Sequence, residues 1–247
     1  MTHRMFARNT ASSRAIPIGK MRRRIRESPV IPIKWGKNQK GMQGGDELVG
    51  WRRWAAQKVV QTGLYCGLAQ SWALDKLGCH KQIANRYTEP WMWITAIATG
   101  NGTAFENFFK LRCHPDAEPH IAKIAYMLRD EYDASTPNPL AWGEWHLPLT
   151  GFEGDELLTQ SDLVKVCVGR CARISYLTHD GRRDVSKDIG LHDRLVKSGH
   201  WSPFEHAAQA MEISTTGGCL GPTWHMYRKE FKHEVCKEAP RVVGTGS

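Results

Sequence analysis

Acidic residues are missing from the first 26 positions, and Glu27 is the first carboxylate of the chain. The opening segment therefore has nothing of its own to neutralise its arginines. No apolar run approaches the roughly 18 residues that a membrane-spanning helix needs, and no secretory apolar core follows the N-terminus. Seven cysteines, at 66, 79, 113, 167, 171, 219 and 236, form an odd set without a Cys-x2-Cys spacing. That pattern argues against a disulfide framework and for reduced thiols in a cytosolic compartment. Cys79-His80, Cys113-His114 and Cys167-x3-Cys171 lack the usual ligand spacing for zinc, so no metal is expected. No internal repeat or low-complexity tract interrupts the sequence.

What is present is the composition of a folded globule. The chain has 247 residues, 41% of them hydrophobic, with ten tryptophans. That length buries a sizeable core, and we expect one domain over residues 1–234 with a tail over 235–247. A formal charge of +9 implies anionic partners. A polyanion and a set of phosphorylated small molecules predict the same excess, so charge alone does not choose between them.

Patterning places the elements in outline. Pro17, Pro29 and Pro32 and the Gly-rich Trp35 to Gly45 read as an extended segment that either lines a site or is mobile. Residues 46–77 read as helix, with breaks at Gly63 and Gly67 and a stop at Gly78. A short helical turn is expected over 80–86, a strand over 88–99, and a turn at Asn101-Gly102. Phe105 to Leu111 is apolar, with Asn107 and Arg112 about 140° apart if helical. Pro119 opens a helix whose Ile121, Ile124, Ala125 and Leu128 form a core stripe. Residues 133–151 read as linker or packed loop. Ser161-Asp162 caps a helix with Val164, Cys167, Val168 and Cys171 on its core side, and Ser186 caps another that ends at Gly199. Trp224, Tyr227, Arg228 and Phe231 keep helical spacing.

The chemistry concentrates in His3-Arg4-Met-Phe-Ala-Arg8-Asn9-Thr-Ala-Ser12-Ser13-Arg14. Guanidinium forks match phosphate geometry, while Ser and Asn add adaptable hydrogen bonds and accept tight turns. The expected ligand is phosphorylated. An Arg-rich, Ser-containing, acid-free N-terminus is also the composition of an organellar transit peptide or a solvated basic tail. Met21-Arg-Arg-Arg-Ile-Arg26 reads equally as a nuclear or nucleic-acid address.

Spacing favours a catalytic reading. The stretch resembles the signature of flavin-dependent thymidylate synthases, Arg-His-Arg-x-x-Ser-x-Asn-Glu-x-Ser-x-Arg-Tyr. His3, Arg4, Asn9, Ser12 and Arg14 match, whereas Thr2, Ala7, Thr10 and Ala15 depart. Leu111-Arg112-Cys-His-Pro-Asp-Ala117 is similar to the family's Leu-Arg-x-Asp-x-His-Ala segment, with Asp116 and Glu118 in place of His and Gln, and Asn107 precedes Arg112 by the family's spacing. Cys171-Ala-Arg-Ile-Ser175 and Gly199-His-Trp-Ser-Pro-Phe-Glu-His206 resemble two further segments. These last two follow the signature, where in common members they precede it. The order resembles a permuted, phage-type branch, in which Trp35-Gly-Lys-Asn-Gln39 and Gly143-Glu-Trp-His-Leu-Pro148 also look familiar. In that branch a few tens of residues, including a strand, come before the signature, so the start at Met1 reads as an N-terminal truncation.

The resemblance implies an α/β (α+β) fold with helices packed on a mixed sheet, assembled as a homotetramer with shared active sites. It implies methylation of dUMP to dTMP, with methylenetetrahydrofolate as one-carbon donor, reduced FAD as hydride donor and NADPH as reductant, in a bacterial or phage-infected cytosol. His3, Arg4, Asn107, Ser175 and His206 would contact FAD. Ser12, Ser13 and Arg14 would hold the nucleotide phosphate, Arg86 would be a second substrate arginine, and Arg112 would sit against the uracil as the catalytic guanidinium. Ser12 has no evident base beside it, so it is expected to donate to the phosphate and not to attack. The alternatives are a related flavoenzyme that modifies deoxyuridylate differently, or a non-catalytic basic remnant that binds nucleic acid. Neither a membrane nor a specific nucleic acid is the expected partner of the leading reading.

Overall fold

The computed structural model describes residues 5–41, 43–174, 184–214 and 216–231. Its architecture is α+β. Seven α-helices and two small sheets make up the regular structure of the described residues. Both sheets are antiparallel, where a mixed sheet was expected. No described helix is long and apolar enough to cross a membrane.

The opening segment is built into the body of the protein. β1 (Ala7–Thr10) pairs with β2 (Ala96–Thr99), setting Ala7 opposite Thr99 and Arg8 opposite Ala98. Strand alternation turns Ala7 and Asn9 inward and Arg8 and Thr10 outward. Inside, the Asn9 amide donates to the Cys171 carbonyl at 2.7 Å. The buried Asn85 amide ties down the following turn by donating to the carbonyls of Ser13 and Ile16, at 2.7 and 2.8 Å. Lys81 adds a bond to the Ala15 carbonyl. Next comes α1 (Ile18–Glu27), which buries Met21 and Ile25 against Leu64 and Leu68. Residues 5–27 are thus folded structure and not a solvated tail.

α2 (Gly50–Lys76) is continuous through Gly63 and Gly67, and Gly78 follows it with a positive φ. Gly67 is required there because a Cβ would lie 2.4 Å from the Tyr87 carbonyl oxygen. The Trp35–Leu48 stretch closes on itself through Lys37–Asp46 and Leu48–Trp35 backbone bonds. The expected turn over 80–86 appears as α3 (Lys81–Ala84), which His80 caps, followed by a 3-10 helix over Asn85–Trp91. That 3-10 helix takes the first third of the expected strand over 88–99, and the strand itself is confined to Ala96–Thr99. Thr88 donates back to the Asn85 carbonyl, and this local bond competes with extension. Asn101 is the N-cap of α4 (Gly102–Arg112) and accepts from Ala104 N–H, so it starts a helix where a turn was expected.

α5 (Pro119–Ala134) starts at Pro119, but its expected core stripe is largely uncovered: Ala125 is buried, while Ile124 and Leu128 are exposed. The loop after α5 leads to β3 (Trp145–His146). α6 (Gln160–Arg173) is capped by Thr159, two residues before the expected cap. It buries Val164, Cys167, Val168 and Cys171 as the periodicity predicted, and burial pushes the Cys167 thiol up. α7 (Val185–Ser198) is capped by Asp184, not Ser186, and ends at Gly199 in the left-handed region. α6 and α7 touch at Gly169, where a Cβ would meet Asp188 backbone at 2.4 Å.

A buried ion network fixes that corner. Arg170 forms a two-pronged pair with Asp155, at 2.6 and 2.7 Å, and reaches Asp188 at 3.3 Å. Arg173 pairs with the other Asp188 oxygen at 2.6 Å. The expected helix over 224–231 is instead β5 (Trp224–Met226) and a 3-10 turn over Tyr227–Glu230. β4 (Ala208–Ala210) lies between β3 and β5 and captures residues 224–226 as its edge partner, so sheet pairing overrides helical spacing. Tyr227 and Phe231 still meet Trp201 and Phe204, in an aromatic cluster packed on Val168. The tail over 235–247 lies outside the described residues.

Candidate functional site

β1 and β2 form a thin partition with a cavity on each side. Arg8 and Ala98, directly opposite each other in register, face one side, and Thr99 faces the other. The first cavity, about 430 Å³, is lined by Arg8, Asn107 and Arg112 and walled by Phe6, Phe105 and Phe108. Asn107 and Arg112 reach it together even though they lie far apart around α4. The cavity wraps the helix, and α5 closes it from beyond with Ile121 and Leu128. Phe6 packs edge-on against Phe105 and Phe108, at 5.1 and 6.3 Å between ring centres. The Asn107 amide touches the Met5 sulfur at 3.6 Å, a weak bond that a better acceptor would displace. Two guanidiniums and an amide over a phenyl wall make a site for an anion that carries a planar ring.

The expected phosphate residues lie just past the end of β1, in the turn that follows it. Ala11, Ser12 and Ser13 line a second, smaller cleft of about 290 Å³ with Glu89, Met92 and Ile94. Ser13 is buried and its hydroxyl donates to the Glu89 carboxylate at 2.5 Å. A negative charge therefore stands where a phosphate was expected. Arg14 and Arg86 are both exposed, and neither forms an ion pair with a described residue. His3, Arg4 and Ser175 lie outside the described residues.

On the other side of the partition is an open cavity of about 1020 Å³, lined by Thr99, Asn101, Trp145, His146 and Trp224 among others. His206 is fully enclosed behind it. Its Nδ1 meets Thr99 Oγ1 at 2.8 Å, and its Nε2 is buried without a hydrogen-bond partner among the described residues. Burial, aided by the neighbouring His146, lowers the His206 pKa to about 4, so the ring is neutral at physiological pH. Burial lowers His146 as well. Ser202, on the same turn as His206, donates to the Arg8 carbonyl at 3.0 Å.

Distant stretches of sequence therefore converge on one partition. The Gly199–His206 turn grips both strands, through Ser202 on Arg8 and His206 on Thr99, and the Asn107–Arg112 segment faces Arg8 across the first cavity. Three contributors had no assigned role in the sequence reading. Arg8 is detectable from the alternation of a strand that begins at Ala7. Thr99 and Glu89 carry no local signal, because their partners lie 107 and 76 residues away. No group of three or more His, Cys, Asp or Glu side chains suited to a metal occurs among the described residues. Comparison with protein-family models, curated proteins and solved structures finds no match for the chain.

Proposed function

We propose that the chain is a flavin-dependent enzyme acting on deoxyuridylate, and specifically a thymidylate synthase that methylates dUMP to dTMP. One observation carries the reading. Three segments that resemble that family, separated by about a hundred residues each, meet at the β1–β2 partition and direct Arg8, Asn107 and Arg112 into one cavity. Those donors suit the anionic, ring-bearing ligands the reaction needs, and a volume near 430 Å³ lies within the usual range for a small-molecule site.

On this reading Asn107 orients the flavin, and Arg112 stabilises negative charge that develops on the uracil as its carbon 5 becomes nucleophilic. Ser12 and Arg14 hold the phosphate. When bound, FAD supplies the hydride, methylenetetrahydrofolate the one-carbon unit and NADPH the reducing equivalents. The chain's own residues bind, orient and exclude water, with the phenyl wall of Phe6, Phe105 and Phe108 doing the last. The enclosed His206 holds β2 in place through Thr99. The same resemblance supports a cytosolic homotetramer with shared sites.

The test is a titration of the full chain with FAD, followed by visible absorbance, with and without dUMP. Bound flavin whose spectrum responds to dUMP is the expected result, and Arg112→Ala should abolish turnover while flavin still binds. No flavin binding at any concentration, with dUMP present, refutes the proposal. Product analysis then separates methylation from another modification of the same base.

A further inference from the structure

The cavity of about 1020 Å³ on the Thr99 side of the partition has no part in the proposed reaction, and its chemistry is the reverse of the basic one. No residue that lines it is Asp, Glu, Lys or Arg, although 24% of the chain is charged and the balance is +9. Burial keeps the His146 of its wall neutral. A phosphate or carboxylate would find no counter-charge there, whereas an uncharged ring gives up no ionic hydration on entry.

The sheet builds one wall. In the β3–β4–β5 register His146 stands opposite Ala208 and Trp224 opposite Ala210, so His146 and Trp224 share one face across two alanines. Those small residues let the two rings meet edge to face at 6.1 Å. Trp142 stands at the mouth, 64% exposed, and packs on no other ring among the described residues. A second wall is a strained loop held from behind. Leu149 is the only described non-glycine residue with a positive φ, 62°, a conformation that persists where the surrounding structure imposes it. Its carbonyl accepts from buried Arg170 at 3.0 Å, and the Pro148 carbonyl accepts from the Cys167 thiol at 3.2 Å. Thr150 Oγ1 donates to the Leu147 carbonyl at 2.7 Å. This wall is fixed before a ligand arrives, which lowers the cost of binding one.

We propose that this cavity binds an uncharged nucleoside, its base stacked on the tryptophans and its edge read by the amides of Asn138 and Gln160. Both amides line the cavity, and neither side chain makes a hydrogen bond to a described residue. An amide presents a donor and an acceptor side by side, which is the pairing that a base edge offers. Saccharide hydroxyls are better served by carboxylate acceptors, and the wall has none. The partition keeps this ligand apart from the phosphorylated one on the Arg8 side, so the inference does not depend on flavin binding.

The test is equilibrium dialysis of the full chain with adenosine and with thymidine, in wild type and in Arg112→Ala. Saturable binding, equal in the two chains and unchanged as salt rises from about 0.05 to 0.5 M, is the expected result, because no ion pair is involved. In Arg112→Ala, AMP should bind no more tightly than adenosine. Trp142→Ala removes one stacking surface and should weaken nucleoside binding by about 10-fold. Trp142 is exposed, so circular dichroism of that variant should match wild type. Absence of saturable binding for both nucleosides, binding that is lost in Arg112→Ala, binding untouched by Trp142→Ala, or displacement by trehalose overturns the inference. FAD absorbance, read on the same samples, reports separately on the proposed activity.

Discussion

His206 makes the stability of this protein depend on pH in a way that can be calculated. In the unfolded chain its imidazole titrates near 6.5, whereas burial behind Thr99 lowers it to about 4 in the fold. Between those values the unfolded chain takes up a proton that the folded chain refuses, so stability must fall as pH drops through that window. The contribution is fully present above about pH 7. A difference of about 2.5 units is worth about 3.4 kcal/mol in total, and about 2 kcal/mol of it is lost between pH 7 and pH 5. The assay is urea unfolding followed by tryptophan fluorescence at half-unit steps over that range, where few carboxylates titrate. His206→Asn keeps an amide near the Nδ1 position to bond Thr99 but cannot titrate. It will be less stable at every pH because of the volume it removes, so the slope is the readout. The variant should lose about 2 kcal/mol less than wild type between pH 7 and pH 5. Burial also lowers His146 and His192, which remain in both chains and cancel in the comparison. Equal slopes would refute an enclosed, neutral His206.

Glu89→Gln keeps an acceptor for the Ser13 hydroxyl and removes the charge beside the phosphate cleft. Unit charges about 4 Å apart repel by about 1 kcal/mol in water, so a dianionic phosphate should bind on the order of 10-fold more tightly to the variant. Calorimetric titration with dUMP at fixed salt checks this, and weaker binding would mean that Glu89 organises the cleft. Asp155→Asn breaks the two-pronged pair with buried Arg170 and should cost about 3–5 kcal/mol at neutral pH. The Arg170 guanidinium holds the Asp155 carboxyl below its ordinary value, so its contribution is present above about pH 4 and lost below it. Wild type should therefore lose more stability than Asp155→Asn on acidification below pH 4. Gly63→Ala and Gly67→Ala should have opposite signs on thermal melting. A Cβ at Gly63 meets Trp91 at 3.4 Å and should gain about 1 kcal/mol of helix propensity, whereas at Gly67 it collides with the Tyr87 carbonyl at 2.4 Å.

What could be read from the sequence was local, and what could not was set by pairing across the chain. Cys167 and Cys171 are core residues because a 3.6-residue stripe needs only its own helix to be visible. Gly199 ends α7 because a left-handed stop is a single-residue property. By contrast, Trp224 to Phe231 keeps helical spacing, yet its first three residues form a strand and the rest a 3-10 turn, because β4 offers an edge the local pattern does not reveal. Ile121 to Leu128 is a true helical stripe, yet Ile124 and Leu128 stay about half exposed among the described residues. Periodicity reports that a face is apolar; it does not report which chain, if any, packs on it.

The same distinction divides the residues of the site. Along the signature segment, Asn9 and Ser13 turn inward and Arg8, Thr10 and Arg14 turn outward, with Ser12 half-buried between them. Asn9 spends its amide on the Cys171 carbonyl, and that bond anchors the strand to α6. Asn9→Ala should therefore lower stability by about 1–3 kcal/mol before it alters any ligand affinity. Arg8 does not belong to the matched pattern, yet it shares a cavity with Asn107 and Arg112 because a two-residue period puts it on the outer face. A matched motif fixes the path of the strand, and the alternation of that strand decides which of its side chains meet a ligand.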